Sequence, residues 1–234
     1  MIVYGRNPVR ELLRAGRRPA HRIWATARAA DEPWLVGIDV HVATGDDIAR
    51  RCGSDGHQGI CAETDGYPYA GAAELLARPD PLIVALDELE DPQNVGAICR
   101  TAECVGATGV VLPERRSAEV TPAVCKASAG AVEHLRVARV RNLADFLAEA
   151  KEAGSWCYGA AGEADAVPYD RPDYRGGVVL VLGAEGKGLR RRVAESCDQL
   201  VALPLRGQIG SLNVSAAASA ILYEILQRRL DSGS

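Results

Sequence analysis

The sequence predicts an α/β protein in two parts, a small mixed α/β unit followed by a larger doubly wound domain with a mainly parallel sheet. Three observations carry that prediction. From Pro81 onward, short apolar runs alternate with segments of helical spacing, the pattern of a parallel sheet covered by helices on both faces. Two of those runs, Leu82-Ile-Val-Ala-Leu and Gly177-Val-Val-Leu-Val-Leu, are continuously apolar, as strands buried on both faces are. Ahead of them lies Thr64-Asp-Gly-Tyr-Pro-Tyr-Ala-Gly, a stretch dense in turn formers and a natural linker. Residues 1–64 are therefore assigned to the small unit, 65–80 to the linker and 81–234 to the large domain.

Asn7-Pro8 is a helix start signal, and Val9-Arg-Glu-Leu-Leu-Arg places apolar residues at i, i+3 and i+4 of a short amphipathic helix. Ile23-Trp-Ala-Thr reads as a strand, Trp34-Leu-Val as the end of a second helix, and Asp39-Val-His-Val-Ala as a second strand. Asp46–Arg51 is another short helix and Gly59-Ile-Cys-Ala-Glu a strand. A unit of about sixty residues buries little on its own. Beyond the linker, Ala73–Ala77 is a brief helix. In the large domain the helices are Val95–Val105, Val120–Ala131 and Leu143–Ala150, with Ala216–Arg229 at the C-terminus. Between them run the strands Gly109-Val-Val-Leu, Arg136-Val-Ala-Arg-Val, Trp156-Cys-Tyr-Gly-Ala and Leu200-Val-Ala-Leu.

At 234 residues, 47% apolar and 25% charged, the composition is that of a soluble globular protein. No signal peptide and no apolar run of membrane-span length is evident. The 7 cysteines are scattered with no C-x-x-C pair, which points to free thiols in a reducing cytoplasm and away from zinc. A net charge of -4 argues against a polyanionic partner, but the distribution matters more than the sum. Arg6, Arg10, Arg14, Arg17, Arg18, Arg22 and Arg28 crowd one stretch in which Glu11 is the lone acid. Arg190, Arg191 and Arg192 form a second cluster, and Arg206 sits in a late loop. These are either solvated arginines or the electrostatic footprint of a polyanion.

Three loops follow strands of the large domain. Parallel sheets bind ligands beyond the C-terminal ends of their strands, so such loops can converge. The first is Asp87-Glu-Leu-Glu-Asp-Pro-Gln-Asn-Val-Gly-Ala-Ile-Cys-Arg100, in which Pro92 and Asn94 open a helix and Gly96 permits close backbone approach. The second, Gly183-Ala-Glu-Gly-Lys-Gly188, differs from a dinucleotide fingerprint in its glycine spacing. The carboxylate of Glu185 in mid-loop suits a cation or hydroxyl groups better than a pyrophosphate. The third, Leu203-Pro-Leu-Arg-Gly-Gln-Ile-Gly-Ser-Leu-Asn-Val-Ser215, is a glycine-relaxed loop running into the last helix, with Ser211 and Asn213 as cap formers.

Taken together, Asp91-Pro-Gln-Asn-Val-Gly-Ala-Ile-Cys-Arg-Thr-Ala, Leu182-Gly-Ala-Glu-Gly-Lys-Gly-Leu and Leu203-Pro…Gly-Ser-Leu-Asn-Val-Ser-Ala-Ala resemble the three motifs of the SpoU (TrmH-like) RNA 2′-O-ribose methyltransferases. Tyr4-Gly-Arg-Asn-Pro-Val and His57-Gln-Gly-Ile60 resemble the L30e-like RNA-binding domain of the branch that methylates a 23S rRNA guanosine, and Gly159-Ala-Ala-Gly-Glu-Ala-Asp is also similar to that branch. The resemblance implies a trefoil-knotted SPOUT domain, S-adenosyl-L-methionine held in a bent form by the knot, and a homodimer whose interface completes the active site. It implies cofactor binding by Gly183, Leu203 and Leu212, and a catalytic constellation of Asn94, Arg100, Glu185, Ser211 and Asn213. Gly210 departs from the pattern, since relatives often carry a larger polar residue there.

The chemistry asks for these residue types. A ribose 2′-hydroxyl is a poor nucleophile until its proton leaves or its developing charge is stabilised. A guanidinium stays protonated in almost any protein site, so Arg100 is read as gripping a phosphate and stabilising the alkoxide, with the phosphate a proton acceptor. Ser211 and Asn213 would orient the ribose, and Asn94 and Glu185 would fix the loops around it. With an RNA substrate, Arg6, Arg10 and Arg22 read as part of the footprint, and His57 and Gln58 as turn-stabilising or RNA-contacting. The expected partner is 23S rRNA or a large-subunit precursor, with no metal and no membrane. A tRNA guanosine, a 23S rRNA adenosine and a catalytically silent assembly factor are the alternatives.

Overall fold

Two sheets organise the chain in the computed structural model, which describes residues 1–162 and 166–231. The first comprises β1 (Ile2–Tyr4), β2 (Ala20–Ala25), β3 (His41–Val42) and β4 (Ile60–Thr64) in the order β1-β4-β2-β3. Strand β4 is antiparallel to β1 and β2, while β3 adds parallel to β2. Helices α1 (Arg6–Ala15), α2 (Ala27–Ala30) and α3 (Gly45–Cys52) connect these strands. Helix α1 ends on a left-handed Gly16, and α3 starts on a Thr44 hydroxyl that accepts from the Asp47 N–H, ordinary cap chemistry at both ends.

After α4 (Ala72–Leu76) the chain enters the second sheet, built from β5 (Leu82–Asp87), β6 (Gly109–Pro113), β7 (Val137–Val140), β8 (Ser155–Ala160), β9 (Val167–Pro168), β10 (Gly177–Gly183) and β11 (Gln199–Ala202). Its order is β7-β6-β5-β10-β8-β11-β9, and every pairing is parallel. The mainly parallel α/β architecture is therefore observed. Helices α5 (Pro92–Cys104), α6 (Pro122–Ala127), α7 (Leu143–Glu152), α8 (Arg191–Ser196) and α9 (Val214–Asp231) supply the remaining layers. Alternate residues of β5 and β10 face two different cores. Leu82, Val84 and Leu86 join α5 and α9 on one face, while Ile83 and Ala85 join α7 on the other. Parallel pairing throughout puts the loops after β5, β10 and β11 at one edge of the sheet.

Several elements depart from expectation. Strand β1, only three residues long, is too short to carry a period, and β3 shrinks to two residues. The expected second helix closing at Trp34-Leu-Val splits into α2 and a 3-10 turn at Pro33–Leu35, because a residue preceding proline is driven out of helical geometry. The helix expected to reach Ala131 ends at Ala127, where Ala129 and Gly130 turn to positive φ. Gly130 is needed there, since a Cβ would lie 2.8 Å from the Glu11 Cβ and 3.0 Å from the Pro8 Cα. Of the Gly159–Asp165 resemblance, residues 163–165 lie outside the described residues.

The stretch 65–80 is a fastened strap rather than a free tether. The Ala70 N–H donates to the Val137 carbonyl at 2.9 Å, and the Tyr69 hydroxyl accepts from the Val120 N–H at 2.9 Å. The buried Tyr67 phenol lies 2.9 and 2.6 Å from the carbonyls of Val132 and Leu135. Burial pushes its ionisation up, so it stays a donor. All seven cysteines are free, and burial pushes the thiols of Cys61, Cys99, Cys125, Cys157 and Cys197 up to about 12. Among the described residues no helix is long and apolar enough to cross a membrane.

Helix α5 reaches its position through Gly96, where a Cβ would stand 2.4 Å from the Ala127 Cβ and 2.9 Å from the Ser128 nitrogen. Gly96→Ala is accordingly expected to lower unfolding stability by about 1–3 kcal/mol, the usual cost of overpacking, with urea denaturation as the measurement. A stability equal to wild type would show that the α5–α6 contact yields without cost.

Candidate functional site

Each of the three loops is shaped locally before it meets the others. At the end of β5, Asp91 caps α5, its carboxylate accepting from the Gln93 N–H at 3.0 Å and the Asn94 N–H at 3.3 Å, with Pro92 in the first turn. This sets Asn94 in the first turn of α5 with its side chain buried. After β10 the backbone folds tightly on itself, and the Gly188 N–H donates to the Ala184 carbonyl at 2.8 Å. A Cβ on Gly183 would stand 2.2 Å from the Gly188 carbonyl carbon, so only glycine permits the crossing. After β11, Asn213 caps α9, its side-chain oxygen accepting from the Ser215 N–H at 2.9 Å and the Ala216 N–H at 3.3 Å.

The three loops then join through three side chains. The Asn213 amide donates to the Asn94 side-chain oxygen at 3.0 Å and to Glu185 at 3.4 Å, and the Asn94 amide donates to the other Glu185 oxygen at 3.4 Å. Residues 119 and 91 positions apart in sequence thus meet at one point. Glu185 accepts from both amides, which leaves Asn213 able to cap its helix and bridge the loops at once.

A second fastening was not apparent from sequence. Asp87, 1% exposed at the end of β5, accepts from the Arg190 N–H and Nε, both at 2.8 Å, and so ties the end of the Gly183–Gly188 loop to the first loop. The signal was present in the sequence as a lone carboxylate closing an otherwise apolar strand.

Two cavities lie on either side of this bridge. One of about 260 Å³ is walled by Gly183, Leu203, Leu212 and Ile221, with Glu185 and Ser211 at its polar side. The other, about 230 Å³, is polar and lined by Glu88, Asn94, Glu185 and Lys187. Ala184, Glu185 and Val214 belong to both. An apolar slot beside a polar one, with the Glu185 carboxylate lining both, can seat a largely apolar cofactor next to a hydroxylated substrate. The residue chemistry fits S-adenosyl-L-methionine: aliphatic walls for a nucleobase, loop backbone for its polar edge, and a carboxylate compatible with a cationic sulfonium. Among the described residues there is no group of three or more His, Cys, Asp or Glu that could hold a metal.

The expected site residues therefore divide. Asn94, Glu185 and Asn213 are hydrogen-bonded together, and Ser211, Gly183, Leu203 and Leu212 line one cavity. Arg100 stands apart, exposed on α5 six residues beyond Asn94, with no hydrogen-bond or ion-pair partner among the described residues. In the small unit, His57 Nδ1 accepts from the Gly59 N–H at 2.9 Å, a turn contact. The Gln58 side-chain oxygen accepts from the Arg6 N–H at 3.1 Å and from Lys126 Nζ at 2.9 Å. Arg6 pairs with Glu32 at 2.8 Å and Arg10 with Glu11 at 3.0 Å, while Arg22 is exposed and unpaired among the described residues. The basic cluster is not uniformly a surface feature, because Arg18 is buried against Glu133.

A family model described as the SpoU rRNA Methylase family matches residues 81–223, and one described as RNA 2'-O ribose methyltransferase substrate binding matches residues 2–70. The chain is 38% identical over 244 residues to YacO of Bacillus subtilis, which carries a TrmH family tRNA/rRNA methyltransferase name, covering 97% of this chain and 95% of that one. It is 38% identical over 240 residues to the 23S rRNA (guanosine-2'-O-)-methyltransferase RlmB of Pseudomonas putida, covering 97% and 96%. Among solved structures, the SpoU methyltransferase AviRb from Streptomyces viridochromogenes in complex with AdoMet matches with a TM-score of 0.82 at 25% identity, over 98% of this chain and 90% of that one.

The double duty of Asn213 can be separated. Asn213→Ala is expected to cost about 1–2 kcal/mol of stability through loss of the cap. Asn213→Ser, which keeps a capping oxygen but is too short to reach Asn94, should recover most of that loss while leaving the loops unbridged. Urea denaturation measures the first effect. Equal stability of the Ala and Ser variants would show that the bridge, not the cap, carries the energy.

Proposed function

Because the chain belongs to the SpoU rRNA methylase family, we propose that it methylates the ribose 2′-hydroxyl of a guanosine in 23S rRNA, in the peptidyl-transferase-region hairpin that holds the end of the P-site tRNA. The chain is an S-adenosyl-L-methionine-dependent RNA 2′-O-methyltransferase. The observation that carries the reading is the Asn94–Glu185–Asn213 bridge between an apolar and a polar cavity. The rRNA assignment is supported by the match to a 23S rRNA guanosine methyltransferase that runs through the small unit as well as the large one.

In this reading residues 1–64 bind RNA, residues 65–80 strap that unit to the rest, and residues 81–234 form the knotted methyltransferase domain. Gly183, Leu203 and Leu212 hold the cofactor, which when bound supplies an electrophilic methyl group on a sulfonium. Asn94 and Glu185 keep the loops in register, and Ser211 and Asn213 orient the ribose so that its 2′-oxygen lies in line with that methyl. Arg100 grips a backbone phosphate of the substrate and stabilises the emerging alkoxide, and the phosphate accepts the proton. Arg6, Arg10, Arg22, His57 and Gln58 belong to the RNA-facing side of the small unit.

Arg100 does not reach the bridge within one protomer, which supports a homodimer whose second copy completes the site. Apolar surface is available for that contact: Ile209 in the last loop and Tyr223 on α9 are exposed. Such a dimer would work in the cytoplasm, where ribosomal RNA is assembled.

The test is methyl transfer from radiolabelled S-adenosyl-L-methionine to protein-free 23S rRNA, to large-subunit precursors and to bulk tRNA. Alkaline hydrolysis locates the label, since a 2′-O-methyl group blocks cleavage at its own nucleotide. Label at one guanosine of 23S rRNA is expected; label confined to tRNA or to an adenosine overturns the target, and cofactor binding without transfer to any RNA favours a silent assembly factor. In the same assay Arg100→Lys should lose at least about tenfold in kcat, because an ammonium cannot make the planar two-point contact of a guanidinium. Near-full turnover would remove that contact from the mechanism.

A further inference from the structure

The residues between α6 and β7 lie between the small unit and the helix that carries Asn94 and Arg100. On one side, Arg18 Nε donates to a Glu133 oxygen at 3.0 Å, a terminal guanidinium nitrogen donates to the other, and the remaining nitrogen donates to the Asp65 carbonyl at 2.9 Å. The two side chains are 2% and 1% exposed. Around them, the Tyr67 ring lies 5.6 and 5.7 Å from the guanidinium carbons of Arg17 and Arg18, Arg17 donates to the Leu135 carbonyl, and Lys126 donates to Gln58. His134 and Glu11 add an exposed contact at 3.0 Å. On the other side, Gly96 of α5 is pressed against Ala127 and Ser128. The path from the small unit to the site helix is thus one continuous set of close contacts.

A fully buried ion pair is weak evidence for stability, because apolar residues of the same volume usually hold an interface as well or better. What it supplies is direction. A different seating that kept Arg18 or Glu133 buried would leave that charge without its partner, a penalty apolar contact does not impose. Here the apolar contact already exists: Val9, Leu12 and Ile60 of the small unit share a core with Val124 and Val132.

We propose that the Arg18–Glu133 pair is a positioning element for methyl transfer, seating the small unit in a single orientation so that RNA bound there reaches the α5 site in register. The proposal rests on the RNA methyltransferase reading above. Neither residue touches substrate; both act through the placement of the unit that does.

The experiment compares wild type with Glu133→Gln, with the milder Tyr67→Phe, and with the reversed pair Arg18→Glu/Glu133→Arg. Two substrates are used, a long 23S rRNA fragment and a short oligonucleotide carrying the target nucleoside but too short to span both units. For Glu133→Gln we expect kcat/KM on the long RNA to fall about tenfold, mainly in KM. The rate on the short oligonucleotide and the affinity for S-adenosyl-L-methionine should hold, small-angle scattering should report a wider distribution of unit separations, and the reversed pair should recover part of the loss. Equal losses on both substrates, or an unchanged long-RNA KM, would overturn the proposal. If Glu133→Gln fails to fold, Tyr67→Phe decides, with a smaller long-RNA defect expected and none overturning the idea. If wild type methylates no RNA, the substrate reading fails separately; filter binding of the long RNA then tests the seating, and equal affinity of wild type and variants would overturn it.

Discussion

The site depends on one constraint, that three loops far apart in sequence end at a single hydrogen-bonded point. Asn213 donates to Asn94 and Glu185 while its own oxygen caps α9, so both ends of the amide are held by the protein before a ribose arrives. A side chain used that fully has no rotameric freedom left, and the loops it joins inherit its rigidity. The Asp87–Arg190 contact repeats the device one layer down, where a buried carboxylate holds the end of the second loop by a backbone N–H and a guanidinium together. With loop backbone otherwise free to adopt many conformations, such fastenings are what hold two adjacent cavities against a shared wall.

Tight backbone approach does for the helices what those hydrogen bonds do for the loops. Gly96 against Ala127, Gly130 against Pro8 and Gly183 against Gly188 leave no room even for a methyl group. Contacts of that kind fix separation more narrowly than side-chain packing, because no rotamer can relax them. The chain of glycines runs from the small unit through α6 and α5 to the site, so the mechanical continuity does not rely on the charged pair alone.

Much of this was legible in the sequence. The two central strands β5 and β10 carry the continuous apolar runs, and the three loops were expected to converge because parallel strands end at one edge. The position of β10 between β5 and β8 was not legible, since strand order is decided by long-range pairing that leaves no local period. Strands β1 and β3 were too short to show alternation. The turn formers of 65–80 mark a linker, yet Tyr67 and Tyr69 in that stretch each carry an apolar ring and a hydroxyl to satisfy, and both hydroxyls are satisfied on the large domain. In the site, Asn94, Glu185 and Asn213 of the three motifs are hydrogen-bonded together and Gly183 and Ser211 line one cavity, while Asp87 carries only a weak sequence signal because a carboxylate at a strand end looks like an ordinary loop residue.

The arginines make the same point about charge. Counted in sequence, the stretch from Arg6 to Arg28 is a dense cationic tract in a chain of net charge -4. In the fold, Arg18 is consumed inside the protein, Arg17 donates to carbonyls of the strap and the large domain, and Arg6 and Arg10 are partnered by Glu32 and Glu11. A guanidinium already in a buried pair adds nothing to a phosphate contact, whereas an exposed pair can exchange its carboxylate for a phosphate at small cost. The cationic surface of this stretch is therefore carried by Arg22, Arg28 and the exposed pairs rather than by the full tract. This reconciles an acidic protein with a polyanionic substrate, since the cations that matter are few, local and solvent-facing. Arg17 and Arg18 are instead engaged at the contact between the small unit and the large domain.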